Sequence, residues 1–249
     1  MTAAQSKLYS DDVSLIVVLL DTNPFFWAAS TSGNLPFSNF LNQVIPFLNS
    51  LLLLNQHNQV VLIATGVNSC DYIYDSAEAG GRNSIDAANV AAISSTILNR
   101  LENFVTKDAR LAKGSDKAAA GGNGISSLLS GSLSIALCCI LFRCLFKILC
   151  LQGSPDGPEQ YVAVMNAIFS AQRSMLAMDG CGDASVQKII LPSPFLPPFA
   201  MVPIDSCIVG PQHSAFLQQA SYITGGVYLK PQHLDGLFQY LAEFCALFG

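Results

Sequence analysis

Asp21 is the side chain whose position along the chain most directly suggests chemistry. It follows a continuous apolar run at 15–20, Leu-Ile-Val-Val-Leu-Leu, and opens the turn signal Asp-Thr-Asn-Pro-Phe at 21–25. A run of this length and branching is typical of a fully buried strand in a parallel sheet. Because such sheets bind ligands just beyond the carboxyl ends of their strands, the sequence places Asp21 where a functional carboxylate would stand.

The histidines and the paired aspartates do not predict catalysis. His57, His213 and His233 are the only histidines, and no Gly-x-Ser-x-Gly motif accompanies them, so a nucleophilic triad is not expected. Each histidine is interpreted as a capping or solvent-exposed residue. Asp71 and Asp75 would share a face of an extended segment, but no evident cleft surrounds them, so they are interpreted as surface residues at strand ends. We therefore expect no enzyme activity.

A glycine-rich stretch at 121–124, Gly-Gly-Asn-Gly, lies just before a predicted helix. Backbone N–H groups at a helix start can bind a phosphate, but this stretch lacks the Gly-Lys-Ser/Thr ending of a P-loop and the third glycine of a dinucleotide fingerprint. We interpret it as the end of a flexible loop at 107–124, whose small residues and interleaved charges are typical of a solvated segment.

The composition limits the partners that the chain can have. Its formal net charge is -5 and its pI is near 5.0, which argues against direct binding to nucleic acid, since phosphate contacts require clustered Lys and Arg. Only 12% of the residues are charged, against roughly a quarter in typical globular domains. We therefore expect a protein partner to cover part of the surface.

Cysteine usage predicts a reducing compartment. The eight cysteines include no Cys-x-x-Cys pair and no histidine at metal-ligand spacing, so neither zinc nor a disulfide framework is expected. Several lie in strongly apolar runs, as Cys150 and Cys207 do, where a reduced cysteine acts as a small hydrophobic residue.

One segment has the length and composition of a membrane span. Residues 125–142 carry no charge and meet the length criterion. Serines recur through the segment, however, and Arg143 and Lys147 interrupt its apolar continuation. A buried or partner-covered helix is therefore predicted, and not a membrane protein.

Strand and helix patterns alternate along the chain and must position Asp21. Short apolar runs predict strands at 15–20, 59–65, 70–74, 148–152, 202–209 and 227–229, the third antiparallel because only a tight turn separates it from the second. Apolar stripes at helical spacing predict helices at 41–52 and 90–104, from 125, from 158, and at 214–224 and 234–248. Such alternation specifies a mostly parallel α/β sheet covered by helices on both faces.

The domain organisation follows from the length and from one irregular stretch. A chain of 249 residues predicts a single domain at 1–249. Residues 174–200 fit neither a strand nor a helix pattern and contain four prolines between 192 and 198. Because long loops are unusual inside compact domains, this stretch is predicted to be a solvent-exposed, poorly ordered insertion.

A more specific signal, a resemblance to one protein family, comes from residues 14–27, 153–169, 218–220 and 223–230. Together with the order of the elements they resemble the small von Willebrand A-like subunit of the core of general transcription factor IIH. The likeness spans 13–248 except for 138–147 and 174–200. It implies the von Willebrand A fold, an open, mostly parallel six-stranded sheet with helices on both faces.

The resemblance implies a non-catalytic scaffold in a nuclear complex that opens promoters for RNA polymerase II and serves nucleotide excision repair. The principal partner in that family is the other von Willebrand A subunit of the core, engaged through its zinc-binding RING-like region, and other core subunits surround the pair. The competing hypothesis is a metal-dependent A-type domain that binds an acidic ligand through a divalent cation, which Asp21 and Asp156 coordinate.

The resemblance also assigns the positions of the A-type cation motif, Asp-x-Ser-x-Ser. The matching residues are Asp21, then Asn23 and Phe25 in the two serine places, Asn123 approximately in the threonine place, and Asp156 in the late aspartate place. A hard cation takes about six oxygen ligands, and Phe25 supplies none while filling space that a bound water would need. We therefore expect no metal at this degenerate site, and a structural role for Asp21 through hydrogen bonds from nearby backbone N–H groups.

Two departures from the family stand out. Its members carry a cysteine-rich zinc module after the A-type domain, whereas this chain ends at Gly249, so zinc is not expected in it and a fragment or truncated product is the interpretation. The stretches 138–147 and 174–200 are unlike the family. A lineage-specific insertion and an error in the gene prediction both stay open for them.

Overall fold

Six strands form the sheet of the computed structural model, which describes residues 14–31, 36–54, 58–78, 87–113, 125–140, 145–173 and 201–246. In chain order they are β1 (Ser14–Asp21), β2 (Gln59–Thr65), β3 (Cys70–Asp75), β4 (Leu145–Gln152), β5 (Ile204–Ile208) and β6 (Tyr228–Leu229). Their order across the sheet is β3-β2-β1-β4-β5-β6, and every neighbouring pair is parallel except β2 and β3. The predicted six-stranded, mostly parallel sheet and the antiparallel third strand are confirmed.

Helices pack against both faces of this sheet. Within the described ranges they are α1 (Pro24–Thr31), α2 (Phe37–Leu54), α3 (Ala87–Lys113), α4 (Leu129–Ile140), α5 (Tyr161–Arg173), α6 (Ala215–Thr224) and α7 (Leu237–Ala246). The core on one face takes side chains from α1, α2, α3 and α7, and the core on the other face takes them from α4, α5 and α6. Residues of β1 alternate between the two cores, as Val17 and Val18 do, because successive strand side chains point to opposite faces.

Several boundaries correct the predictions. The patterns did not predict α1, since its eight residues are too few to show helical spacing. The predicted loop at 107–124 is wrong over 107–113, because α3 continues to Lys113. The helix predicted from 125 begins only at Leu129, and β4 begins earlier than predicted, at Leu145. Residues 114–124 and the predicted insertion at 174–200 lie outside the described residues.

Part of the segment that resembled a membrane span forms α4, a helix with one buried face. α4 has twelve residues, too few for the roughly 20 that a spanning helix needs, and its Leu129, Leu133 and Ala136 lie in the core. Within the described ranges, α2 is long and apolar enough to cross a membrane by length and composition alone. One face of α2 contributes Phe40, Leu48 and neighbouring side chains to the core, as the core helix of a globular domain does.

Candidate functional site

Asp21 lies at the carboxyl end of β1 and connects this strand end to the end of β4. Its side chain is buried, with 1% of its surface exposed. Oδ1 accepts a hydrogen bond from the backbone N–H of Asn23 at 3.0 Å. Oδ2 accepts from the backbone N–H groups of Gly153 at 3.0 Å and Ser154 at 2.6 Å. The structural hydrogen bonds predicted for Asp21 are present, and both carboxylate oxygens are engaged.

Burial dominates the electrostatics of Asp21. Removal from water raises the pKa of its carboxyl above the ordinary value, because desolvation disfavours the charged form. Hydrogen bonds from Ser154, Asn23 and Gly153 act in the opposite direction by stabilising the carboxylate, but they are the smaller effect.

The side-chain oxygen of Asn23, which would be a ligand in a cation site, caps the N-terminus of α1. Its Oδ1 accepts from the backbone N–H groups of Phe25 at 3.0 Å and Phe26 at 3.4 Å. Pro24 occupies the first helical position, where a missing N–H costs nothing. Asn followed by Pro is a standard sequence signal for a helix start and indicates this cap.

The amide nitrogen of Asn23 joins three segments at the same edge of the sheet. Nδ2 donates to the hydroxyl of Ser154, after β4, at 2.9 Å and to the backbone carbonyl of Ile125, before α4, at 2.8 Å. Gln160 also holds the segment before α4, since its Nε2 donates to the carbonyl of Ser127 at 2.8 Å. Asn23, at a serine position of the motif, therefore connects the start of α1 to the segments after β4 and before α4.

Asp156 contacts a different element from Asp21. Its Oδ1 accepts from the hydroxyl of Ser214 at 2.5 Å, and its Oδ2 accepts from the backbone N–H of Phe216 at 3.1 Å. Ser214 is itself the N-cap of α6 and accepts from the backbone N–H of Leu217. A carboxylate at a helix N-terminus is stabilised by the helix dipole. Asp156 thus secures the start of α6.

These contacts do not fit a divalent cation. The oxygens of Asp21, Asn23 and Asp156 already accept backbone N–H or hydroxyl donors, and the half-buried Phe25 offers only carbon. Asn123 lies outside the described residues. No group of three or more His, Cys, Asp or Glu side chains among the described residues could hold a metal ion. The described positions of the motif therefore form a hydrogen-bonded framework, not a coordination shell.

The other candidate residues lie on the surface of the described part of the chain or at its strand ends. His213 is exposed before α6, with Nδ1 3.1 Å from the hydroxyl of Tyr228, and His233 is exposed before a 3-10 helix at Leu234–Gly236. Asp75 accepts from the backbone N–H of Ala77 in the turn after β3, and Asp71 is exposed, as expected for strand-end residues. His57 lies outside the described residues.

Asp108 has a structural role, and its prediction as part of the solvated loop at 107–124 is wrong. It lies on α3 with no exposed surface and accepts hydrogen bonds from the turn between β2 and β3. The spacing of Leu101, Phe104 and Asp108 is helical and could have revealed that all three share the buried face.

An open groove of about 1010 Å³ lies at the carboxyl edge of the sheet. The segments after β1, β4, β5 and β6 line it, and the strands all end at this edge because they run parallel. Phe25 and Phe26 come from α1, Pro155 from the segment after β4, Pro211 from that after β5, and Lys230 from that after β6. Gly153 and Ile125, which form hydrogen bonds with Asp21 and Asn23, also line this groove.

Comparisons with curated proteins agree with this architecture. General transcription and DNA repair factor IIH subunit TFB4 of Arabidopsis thaliana is 52% identical over 255 residues, covering 99% of this chain and 74% of the relative. General transcription factor IIH subunit 3 of Dictyostelium discoideum is 28% identical over 85% of this chain and 53% of its own length. The Schizosaccharomyces pombe subunit tfb4 is 29% identical, covering 93% and 69%.

Solved structures show the same fold at lower sequence identity. The crystal structure of the TFIIH p34 N-terminal domain has a TM-score of 0.65 and 24% identity, and the match covers 93% of this chain and 97% of that one. A von Willebrand factor type A protein from Catenulispora acidiphila has a TM-score of 0.57 and 11% identity over 94% of this chain and 42% of its own. The predicted von Willebrand A-like fold is confirmed.

The family model of transcription factor Tfb4 matches residues 13–191 and 195–247, so the match continues through most of the stretch 174–200. The resemblance to the small von Willebrand A-like subunit of factor IIH is confirmed, and with it the nuclear location and the role in transcription. The chain belongs to the Tfb4 family of general transcription factor IIH subunits.

Proposed function

We propose that this chain is a non-catalytic scaffold of the factor IIH core, which binds the RING-bearing von Willebrand A subunit in transcription initiation and in nucleotide excision repair. The observation that carries the proposal is the use of the strand-end motif. The side-chain oxygens of Asp21 and Asn23 accept hydrogen bonds from backbone N–H groups of this chain. Because these hydrogen bonds are made within the chain, they support a structural role for the site.

The distribution of charge supports a role inside an assembly. Arg173 is the single charged residue in the sequences of α4, α5 and α6. Large apolar side chains of α5 and α6 are nevertheless exposed, with Val162 at 68%, Phe169 at 44% and Tyr222 at 89%. Interface cores are depleted of charge and enriched in aromatic residues. An uncharged face with exposed aromatic rings is suited to burial by another subunit.

The absence of catalysis is part of the same proposal. A catalytic site needs titratable side chains that point into the same cleft and are available to react with a substrate. The buried carboxylates of Asp21 and Asp108 accept hydrogen bonds from the chain itself. Asp205, also buried, forms an ion pair with Lys147 at 2.5 Å and accepts from the backbone N–H of Val227. Each of these groups has a structural use.

Co-expression with the RING-bearing subunit tests the proposal. We expect a one-to-one heterodimer that survives size-exclusion chromatography, with a mass measured by light scattering. The matched control is co-expression with a von Willebrand A protein from outside factor IIH, which should elute separately. A chain that stays monomeric beside the RING-bearing subunit would contradict the proposed function.

A further inference from the structure

Gln43 connects α2 to the start of α7 through both polar atoms of its side chain. Its Nε2 donates to the backbone carbonyl of Leu234 at 2.6 Å, and its Oε1 accepts from the backbone N–H of Phe238 at 3.1 Å. The N–H groups in the first turn of a helix have no partner within that helix. A side chain that lies 195 residues earlier than Phe238 therefore caps α7.

This cap comes from an unusual place. Helix caps normally come from the residue that immediately precedes the helix. His233, which precedes the 3-10 helix Leu234–Gly236, makes no side-chain cap hydrogen bond, and the 3-10 helix leads directly into α7. The start of α7 thus depends on α2 for its cap.

α7 lies at the periphery of the described part of the chain. It is the last element there, and its principal neighbours are α2 and the 3-10 helix before it. Leu237 and Leu241 are fully buried in the core, whereas Phe238 and Tyr240 are each 37% exposed. A helix of ten residues is marginal in water by itself, so α7 depends on its docking to stay helical.

We propose that α7 opens from the domain as a separate unit and that the side chain of Gln43 is the latch that holds it closed. Local openings of this kind have lower free energies than global unfolding and involve elements with few buried contacts. In the open form Leu237 and Leu241 leave the core, while the core formed with α4, α5 and α6 on the other face of the sheet stays packed. The inference does not depend on the proposed scaffold role.

Hydrogen exchange of the full chain tests this opening, with mass spectrometry at increasing urea concentrations below the unfolding transition. Peptides from Leu237–Ala246 should exchange faster than peptides from β1 and with a weaker dependence on urea, because a local opening exposes less surface than global unfolding. An equal dependence on urea for both sets of peptides would overturn the proposal, since α7 would then open only when the whole domain unfolds.

A matched pair of substitutions tests the latch. Gln43→Met removes both hydrogen bonds at similar side-chain volume, so exchange in α7 should become about tenfold faster or more. Gln239→Met makes the same replacement at an exposed position of α7 and should leave the exchange rate unchanged. Equal exchange rates in the two variants would refute the role of Gln43.

Asp108→Asn separates the latch from a general loss of stability. Asp108 joins α3 to the turn between β2 and β3, and these contacts persist in the proposed open form. This variant should accelerate exchange in β1, which requires global unfolding, and leave exchange in α7 unchanged. Faster exchange in α7 of both Asp108→Asn and Gln43→Met would mean that α7 follows global stability, and the proposal would be wrong.

Discussion

The carboxylate of Asp108 accepts a hydrogen bond of 2.7 Å from the hydroxyl of Ser69, which joins α3 to the turn between β2 and β3. Backbone N–H groups of Val67 and Asn68 donate to the same carboxylate at 2.8 and 3.1 Å. A Cβ atom at Gly66 would lie 2.5 Å from this carboxyl group, so the close approach requires glycine. One acidic side chain thus satisfies three donors of a turn, two of them backbone N–H groups.

Asp108→Asn should lower the free energy of unfolding by about 2–3 kcal/mol, because an amide presents an NH₂ group to a backbone N–H and leaves buried donors without an acceptor. Urea unfolding followed by circular dichroism measures the loss. Glu102→Gln, at an exposed position of the same helix, is the control and should be neutral. Similar stabilities of the two variants would show that the buried turn does not depend on Asp108.

Gly153→Ala should destabilise the protein by about 1–3 kcal/mol through overpacking. A Cβ atom at this position would lie 2.2 Å from Cε1 of Phe26, within the strand-end framework that also holds Asp21. Gly236→Ala, where the nearest atom would lie at an ordinary 3.4 Å, provides the control in the same denaturation measurement. A tolerated Gly153→Ala would mean that the ring of Phe26 is free to move aside.

Titration of the purified chain with Mg²⁺ or Mn²⁺ in a calorimeter should give only heats of dilution. The reason is that the oxygens of Asp21 and Asn23 already accept backbone hydrogen bonds. A metal-binding A-type domain measured in parallel shows that the assay detects such sites. Micromolar binding that disappears in Asp21→Ala would instead support the metal-dependent alternative.

The raised pKa of Asp21 predicts the direction in which the stability of the folded protein changes with pH. A carboxyl whose pKa is higher in the folded than in the unfolded chain contributes most stability below the unfolded value of about 3.8, and this contribution is lost as pH rises through the folded pKa. The stability difference between the unmodified chain and Asp21→Asn should therefore shrink as pH rises. Urea unfolding at several pH values tests this, and a difference that grows with pH contradicts it.

Cysteine reactivity should follow burial. Burial raises the pKa of the Cys207 thiol to about 12 and raises that of Cys150 as well, so both remain thiols at pH 8. Peptide mapping after iodoacetamide treatment of the folded protein should find exposed Cys138 alkylated and these two unmodified. The same mapping in urea should find all three alkylated. Rapid labelling of Cys150 in the folded protein would place it outside the core.

The sequence was sufficient for the sheet but not for the details of the site. The branched apolar run of β1 and the alternation of elements are typical of a mostly parallel sheet, so the six strands and the antiparallel third strand could be predicted. The roles of Asn23 and Asp108 could not be predicted because they depend on partners distant in the chain, Ser154 for one and Val67 for the other. Likewise, Lys230 and Phe26 share a groove that no local pattern encodes.

Trp27 is the only tryptophan of the chain, and its indole N–H donates to the backbone carbonyl of Asp21 at 2.9 Å. Its ring is buried against Phe40, with ring centroids 4.8 Å apart, and meets the edge of Phe26, which lines the groove. The fluorescence of this single indole therefore reports on one edge of the sheet. Selective excitation provides an optical signal from that edge in the unlabelled protein.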